Sequence, residues 1–255
     1  MAIPRVYLSP PLKANTKIII PQDIAHRLQN VLRLRSGDEL IVFNGQEERG
    51  GEFAARIEAI DKKQMLVNVL EWQTGIAESS LVIHLGQGIA RGEKMDIIVQ
   101  KAVELGVNFI TPLVTEFCNV RLEGERLQQR LQHWQKVAVH ASEQCGRCFV
   151  PQILPVQTLS QWMKTNNEVI SSDYLRITLS PAAETSFDNL PFNINEKKKI
   201  ALLVGPEGGI SPQEMTDTLA HGFYACKIGP RILRTETAAL VALSILQDRF
   251  GDLAA

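Results

Sequence analysis

The sequence predicts an α/β domain preceded by a small β-rich one, and three observations predict it. Up to residue 73, five short apolar runs are separated by turn residues. From residue 74 onward, strand-like and helix-like runs alternate. Near the C-terminus, two strand-to-helix junctions, "LLVGPEGGIS" and "KIGPRILRTETAALVA", each pass through a Gly-Pro pair.

Residues 1–73 are expected to form a small barrel or sandwich. Its strands are read from "RVYL", "KIII", "DELIVF", "GEFAARIEAI" and "QMLVNVLEW", with one helix, "PQDIAHRLQNVLRLR", opened by Pro21. Gly37, Asn44-Gly45, Gly50-Gly51 and Lys62-Lys63 mark the turns between them. "QTGIAESS" is polar and small enough to link the two domains.

Residues 74–255 change rhythm. "LVIHLGQ", "NFITPLV", "YLRITLS", "KIALLVG" and "FYACKIG" read as strands; "RGEKMDIIVQKAVELG", "EGERLQQRLQHWQKVAVHASEQCG", the segment after Ser211 and "TETAALVALSILQDRF" read as helices. Such alternation predicts a parallel sheet covered on both faces, with ligands at the carboxyl ends of its strands. The polar stretch 182–199 is expected to be a loop.

Composition narrows the function classes. The chain has 255 residues, 45% hydrophobic and 22% charged, with 27 basic residues against 28 acids, so overall charge points to no partner. Residues 1–36 are more basic, with Arg5, Lys13, Lys17, Arg27, Arg33 and Arg35 against the single acid Asp23. The start "MAIPRVYLSP" lacks the apolar core of a signal peptide, and no apolar run approaches the roughly 18 residues of a membrane span. A cytoplasmic protein without membrane association is expected. Cys145 and Cys148 form a C-x-x-C, but zinc would want a second close pair and a redox motif would open a helix rather than close one. His133 and His140, seven residues apart on one helix, lie about 10 Å from each other, too far to share a metal. No metal site is expected.

The first glycine loop resembles a phosphate cradle, but it lacks the lysine and hydroxyl of a nucleotide-binding loop, and Glu207 would repel a phosphate. A ligand without phosphate, or one bearing a cation, suits it better. The residues also allow a plain turn followed by a helix whose Ser211, Pro212 and Glu214 make a capping box. The second loop places Arg231 and Arg234 just before a helix, where cations oppose the helix dipole. Two guanidiniums there suggest a site for an anion, such as an RNA phosphate or a base that becomes anionic during reaction. Glu236 complements the dipole in the first helical turn, and Thr235 reads as an N-cap.

Taken together, "LLVGPEGGIS", "IGPRILRTETAAL", "RGEKMDIIVQKAVELGV", "WQKVAVHASEQCGR" and "HRLQNVLRLRSGDEL" resemble the 16S ribosomal RNA uridine-N3 methyltransferase family of the SPOUT class. The resemblance covers most of the chain. It implies a PUA-like RNA-binding β-barrel followed by a SPOUT domain whose C-terminal trefoil knot holds S-adenosylmethionine. That cofactor carries a sulfonium cation and no phosphate, as the first loop requires. The resemblance further implies a homodimer acting on a uridine in the decoding region of 16S ribosomal RNA, in the assembled small subunit.

Carried over residue by residue, Gly205, Pro206, Glu207, Gly208 and Gly209 match the first cofactor loop, with Leu203 in the strand before it. Ile228, Gly229, Pro230 and Leu233 match the second, and Thr178, Leu179, Ser180 and Pro181 a third wall. Arg234, Arg231 and Glu236 are the expected catalytic residues. Arg5, Arg33 and Arg35, with Glu143 and Arg147 at the end of the long helix, are the expected RNA contacts. The chain departs from the family's pattern at Phe117, where relatives tend to have an arginine. A noncatalytic RNA-binding or ribosome-assembly protein on the same fold is the alternative, although intact charged loops speak for turnover.

Overall fold

Alternating apolar and polar residues put one face of an N-terminal strand into a core, whereas a strand covered on both faces is apolar throughout. Both patterns occur in the computed structural model, which describes residues 3–9, 11–45, 51–61, 64–120, 123–164, 173–190 and 199–254. The expected turn residues Gly50, Lys62 and Lys63, and positions 191–198 of the expected loop, lie outside these. Contacts divide the chain into two units, residues 1–78 with 142–150, and residues 79–141 with 151–255.

The first unit contains β1 (Arg5–Tyr7), β2 (Thr16–Ile20), α1 (Gln22–Asn30), β3 (Glu39–Phe43), β4 (Gly51–Ile60) and β5 (Met65–Thr74). They form one five-stranded sheet in the order β1-β3-β4-β5-β2, antiparallel except for the β1–β3 pair. Met65, Val67 and Val69 of β5 are buried at every second position, and they pack with Val6, Ile20, Leu28, Leu40, Val42 and Ile57 into one core. Two register shifts between β4 and β5 bend these long strands over that core.

Helix α1 stops at Asn30, five residues short of the expected end at residue 35. Arg33 there adopts a left-handed φ of 57°, and the Leu34 N–H turns back to the Leu28 carbonyl. The apolar periodicity continued through "VLRLR", yet Val31 and Leu32 are left exposed beyond the core. Residues 142–150, expected with the second domain, belong to the first unit, because their charged side chains bond there, as described below.

The second unit contains β6 (Val82–Gly88), α2 (Lys94–Glu104), β7 (Phe109–Val114), α3 (Gly124–Cys145, whose last residues join the first unit), β8 (Gln152–Ile153), β9 (Gln157–Thr158), α4 (Leu159–Lys164), β10 (Leu175–Leu179), β11 (Lys199–Val204), α5 (Pro212–Ala220), β12 (Tyr224–Cys226) and α6 (Thr235–Phe250). The sheet order is β12-β10-β11-β6-β7-β8, with β9 also on β7, and every pairing is parallel. Central β11 is buried along nearly its whole length, as a strand covered on both faces must be.

The elements β8, β9 and α4 have no counterpart in the sequence reading, being too short to show a period. Their anchor is Trp162, 2% exposed and packed so closely on Gly86 that a Cβ there would lie 2.5 Å from the indole ring. His133 is exposed on α3, where its Nε2 lies 2.7 Å from Asp96 Oδ2, while Trp134 Nε1 donates to the other Asp96 oxygen at 3.1 Å. No helix among the described residues is long and apolar enough to cross a membrane.

Candidate functional site

Because β10, β11 and β12 run parallel and adjacent, their carboxyl ends open on the same side, and the three loops leaving them meet there. A cavity of about 690 Å³ lies between Leu179–Pro181 after β10, Val204–Ile210 after β11 and Cys226–Thr235 after β12. The two Gly-Pro loops thus become two walls of one site, with the "TLSP" segment as the third.

Close backbone approach makes this possible. At the end of β6, a Cβ on Gly88 would lie 2.5 Å from the backbone nitrogen of Pro206, so only glycine lets the first loop cross here. Gly88→Ala is expected to destabilise the protein by about 1–3 kcal/mol through overpacking against backbone that cannot yield, measurable by urea unfolding. Gly209, at φ 75°, closes a turn by donating its N–H to the Pro206 carbonyl at 2.9 Å. The expected capping box is present: Ser211 Oγ accepts from the Glu214 N–H, and Glu214 Oε2 accepts from the Ser211 N–H. The other Glu214 oxygen accepts from the Glu116 N–H at 2.9 Å, fastening the neighbouring segment too.

Thr235 is not an N-cap. Arg234 holds that position without a side-chain capping bond, and Thr235 is the first residue of α6. Its hydroxyl donates to the Gly205 carbonyl at 2.6 Å and accepts from the buried Gln87 Nε2 at 3.0 Å. This one side chain ties the first loop, the end of β6 and the start of α6 together.

Glu207 Oε1 accepts from Lys94 Nζ at 2.9 Å and from the Arg91 N–H at 3.1 Å. Burial pushes its carboxyl up, but the bonds from Lys94, from its own N–H and from Arg91 outweigh burial and hold it below the usual carboxylate range. Glu207 therefore braces the loop against the start of α2, and it also lines the cavity. Cys226, wholly buried, has its thiol pushed up to about 11 by burial, so it stays protonated near neutral pH.

Most expected cofactor residues line the cavity: Leu179, Ser180, Pro181, Gly205, Pro206, Glu207, Gly209, Ile228, Gly229, Pro230 and Leu233. Thr178, Leu203 and Gly208 stand outside the lining. Thr178 and Leu203 are fully buried in their strands, and Gly208 faces Phe117, where a Cβ would meet Phe117 Cβ at 2.7 Å. Phe117 thus supplies packing against the first loop.

Arg231 and Arg234 line the cavity and are exposed, and neither side chain bonds any described residue. Glu236 is outside the lining; its Oε2 is shielded from solvent, has no hydrogen-bond partner among the described residues and lies 4.0 Å from Lys94 Nζ. The sequence reading missed Val204, Ile210, Cys226, Ile232 and Thr235 on or beside the strand ends and loops, and also Lys94, Met215 and Ala238 as cavity residues. The last three lie on helices whose periodicity reports a packing face and not the end of a sheet.

The five expected RNA contacts all lie in the first unit. Arg33 and Arg35 are exposed. Arg5, Glu143 and Arg147 are engaged internally: Arg5 pairs with Glu52, stacks 5.0 Å from the Phe43 ring centre and donates to the Arg147 carbonyl at 3.1 Å. Glu143 receives both guanidinium nitrogens of Arg27 at 2.6 and 2.8 Å, together with the Tyr7 N–H at 3.0 Å. Arg147, 7% exposed, bonds Glu78 at 2.6 Å. Cys148 Sγ sits 3.5 Å from the Arg5 guanidinium and 3.4 Å from Glu52, and serves as part of this cluster.

Comparison with known proteins bears on both units. Residues 77–247 match the RNA methyltransferase domain family and residues 20–70 the RNA methyltransferase PUA domain. The chain is 38% identical over 251 residues to the ribosomal RNA small subunit methyltransferase E of Buchnera aphidicola subsp. Schizaphis graminum, covering 98% of each chain. It is 28% identical over 222 residues to the Bacillus subtilis protein of that name, covering 87% of this chain and 86% of that one. Among solved structures, ribosomal RNA small subunit methyltransferase E from Neisseria gonorrhoeae, bound to S-adenosyl methionine, superposes with a TM-score of 0.89 at 34% identity, covering 99% of this chain and all of that one. A putative methyltransferase of Legionella pneumophila in complex with the same cofactor gives 0.91 at 36% identity, with the same coverage. The expected fold class, a parallel α/β sheet after a small PUA-like β unit, is borne out.

Proposed function

The chain belongs to the RNA methyltransferase family that includes ribosomal RNA small subunit methyltransferase E, and from this we propose that it methylates N3 of a uridine in the decoding region of 16S ribosomal RNA, using S-adenosylmethionine. The observation that carries the reading is that the two Gly-Pro loops wall one cavity, with two arginines on its lining that bond no described side chain. Its walls fit the cofactor: Leu179, Ile228, Leu233 and Met215 offer apolar surface, the loops offer backbone donors and acceptors, and Glu207 disfavours phosphate. The family likeness supports a C-terminal trefoil knot, and Thr235 ties the start of α6 to Gly205 and Gln87 there.

S-adenosylmethionine, when bound, supplies a methyl group on a positively charged sulfur. Methylation of N3 requires its proton to leave and negative charge to be stabilised on the flanking carbonyl oxygens. Arg234 is proposed to stabilise that charge and Arg231 to hold the base or a phosphate; both line the cavity. Glu236, in the first turn of α6 after the second loop, is the proposed proton acceptor. Cys226, protonated near neutral pH, is unsuited to that task.

Exposed Arg33 and Arg35 are proposed to contact RNA backbone from the first unit, and the family likeness supports a cytoplasmic homodimer acting on the assembled small subunit. Incubation with labelled S-adenosylmethionine and either naked 16S RNA or assembled small subunits is expected to label one uridine at N3. Absence of label on uridine with both substrates would overturn the enzyme reading in favour of a noncatalytic RNA-binding role.

A further inference from the structure

We infer that Lys94 is a positioning residue of the site, clamping the first cofactor loop to the start of α6 through Glu207 and Glu236. The inference rests on the cavity's being the S-adenosylmethionine site. Lys94 is the first residue of α2, where a cation opposes the helix dipole, so its placement needs compensation from nearby carboxylates. Two are present. Its ammonium lies 2.9 Å from Glu207 on the loop after β11 and 4.0 Å from Glu236 in the first turn of α6.

All three side chains are half-buried or more, at 33%, 27% and 17% exposure, so water screens the cluster only in part. Among the described residues Glu236 Oε2 accepts no hydrogen bond although it is shielded from solvent, and Lys94 is the cation paired with it. Glu207, held by Lys94 and the Arg91 N–H, spans the middle of the Pro206–Gly209 turn. Through one ammonium, α2 fixes that turn and α6 around the cavity. Lys94, itself on the cavity lining, thus holds the first loop in place through Glu207.

Calorimetric titration of S-adenosylmethionine into the full-length protein tests this with Lys94→Met, Lys94→Arg, Glu207→Gln and the Lys94→Met/Glu207→Gln double variant. Lys94→Met and Glu207→Gln are each expected to weaken binding about tenfold, with the double variant little worse than either, as for side chains in one ion-pair network. Lys94→Arg, which keeps the charge, is expected to restore most of the affinity. Wild-type affinity in Lys94→Met, equal loss in Lys94→Arg and Lys94→Met, or full additivity in the double variant would each overturn the clamp. Should Lys94→Met fail to fold, the Glu207→Gln and Lys94→Arg titrations still decide: unchanged affinity in the first or full loss in the second overturns it. Failure of the wild-type protein to bind the cofactor would instead overturn the proposed function.

Discussion

Replacing Arg234 with alanine is expected to lower methyl transfer about a hundredfold to a thousandfold, the usual cost of removing one preorganised donor to developing charge. Cofactor binding and folding are expected to persist. Arg234 is exposed, bonds no described side chain, and serves α6 at the N-cap position through its backbone carbonyl, which accepts from the Ala238 N–H at 2.8 Å. Alanine keeps that bond. Single-turnover transfer from labelled S-adenosylmethionine, measured beside calorimetric binding of the cofactor, separates the two quantities. An equal loss in both would place Arg234 in cofactor binding and leave the stabilisation of the uracil anion to another group.

Arg5→Ala is expected to act on stability, costing about 3 kcal/mol, because it strands the Glu52 carboxylate in a site with little water. The two side chains are 14% and 8% exposed, and besides Arg5 that carboxylate receives the Gln73 amide at 3.1 Å and the Cys148 thiol at 3.4 Å. Neither neutral donor replaces a guanidinium. The urea midpoint should fall with an unchanged slope, whereas Arg33→Ala, at an exposed position, should stay within about 0.5 kcal/mol of wild type. Weakened RNA binding by Arg5→Ala at unchanged stability would support Arg5 as an RNA contact instead.

The contrast between Arg5 and Arg33 shows where a linear reading reaches its end. Both are arginines in the same basic stretch, and nothing local tells them apart. What separates them is the partner: Glu52 comes from β4, far along the chain, and residues 142–150 close over Arg5 through the carbonyl of Arg147. Glu143 and Arg147, expected from the family resemblance as RNA contacts, pair over long range with Arg27 and Glu78, which no local pattern shows.

The short elements β8, β9 and α4 escaped because two residues of strand, or six of helix, carry no measurable period. By contrast, α6 was read with its observed bounds, since a long apolar run followed a clear loop. The capping box at Ser211 was legible because its chemistry is confined to four neighbouring residues.

The sequence by itself determined the alternation that makes a parallel sheet, the small β-rich unit before it, and the two Gly-Pro loops. Each of these depends on periodicity or on turn chemistry within a few residues. Only the tertiary structure decided what holds Glu207: it braces the first loop through Lys94, more than a hundred positions away, while standing on the cavity lining. It likewise took Thr235 from a cap to a tie across three elements. A charged or hydroxyl side chain takes its role from the partner that satisfies it, and in a parallel sheet that partner stands on a strand or helix distant in the chain.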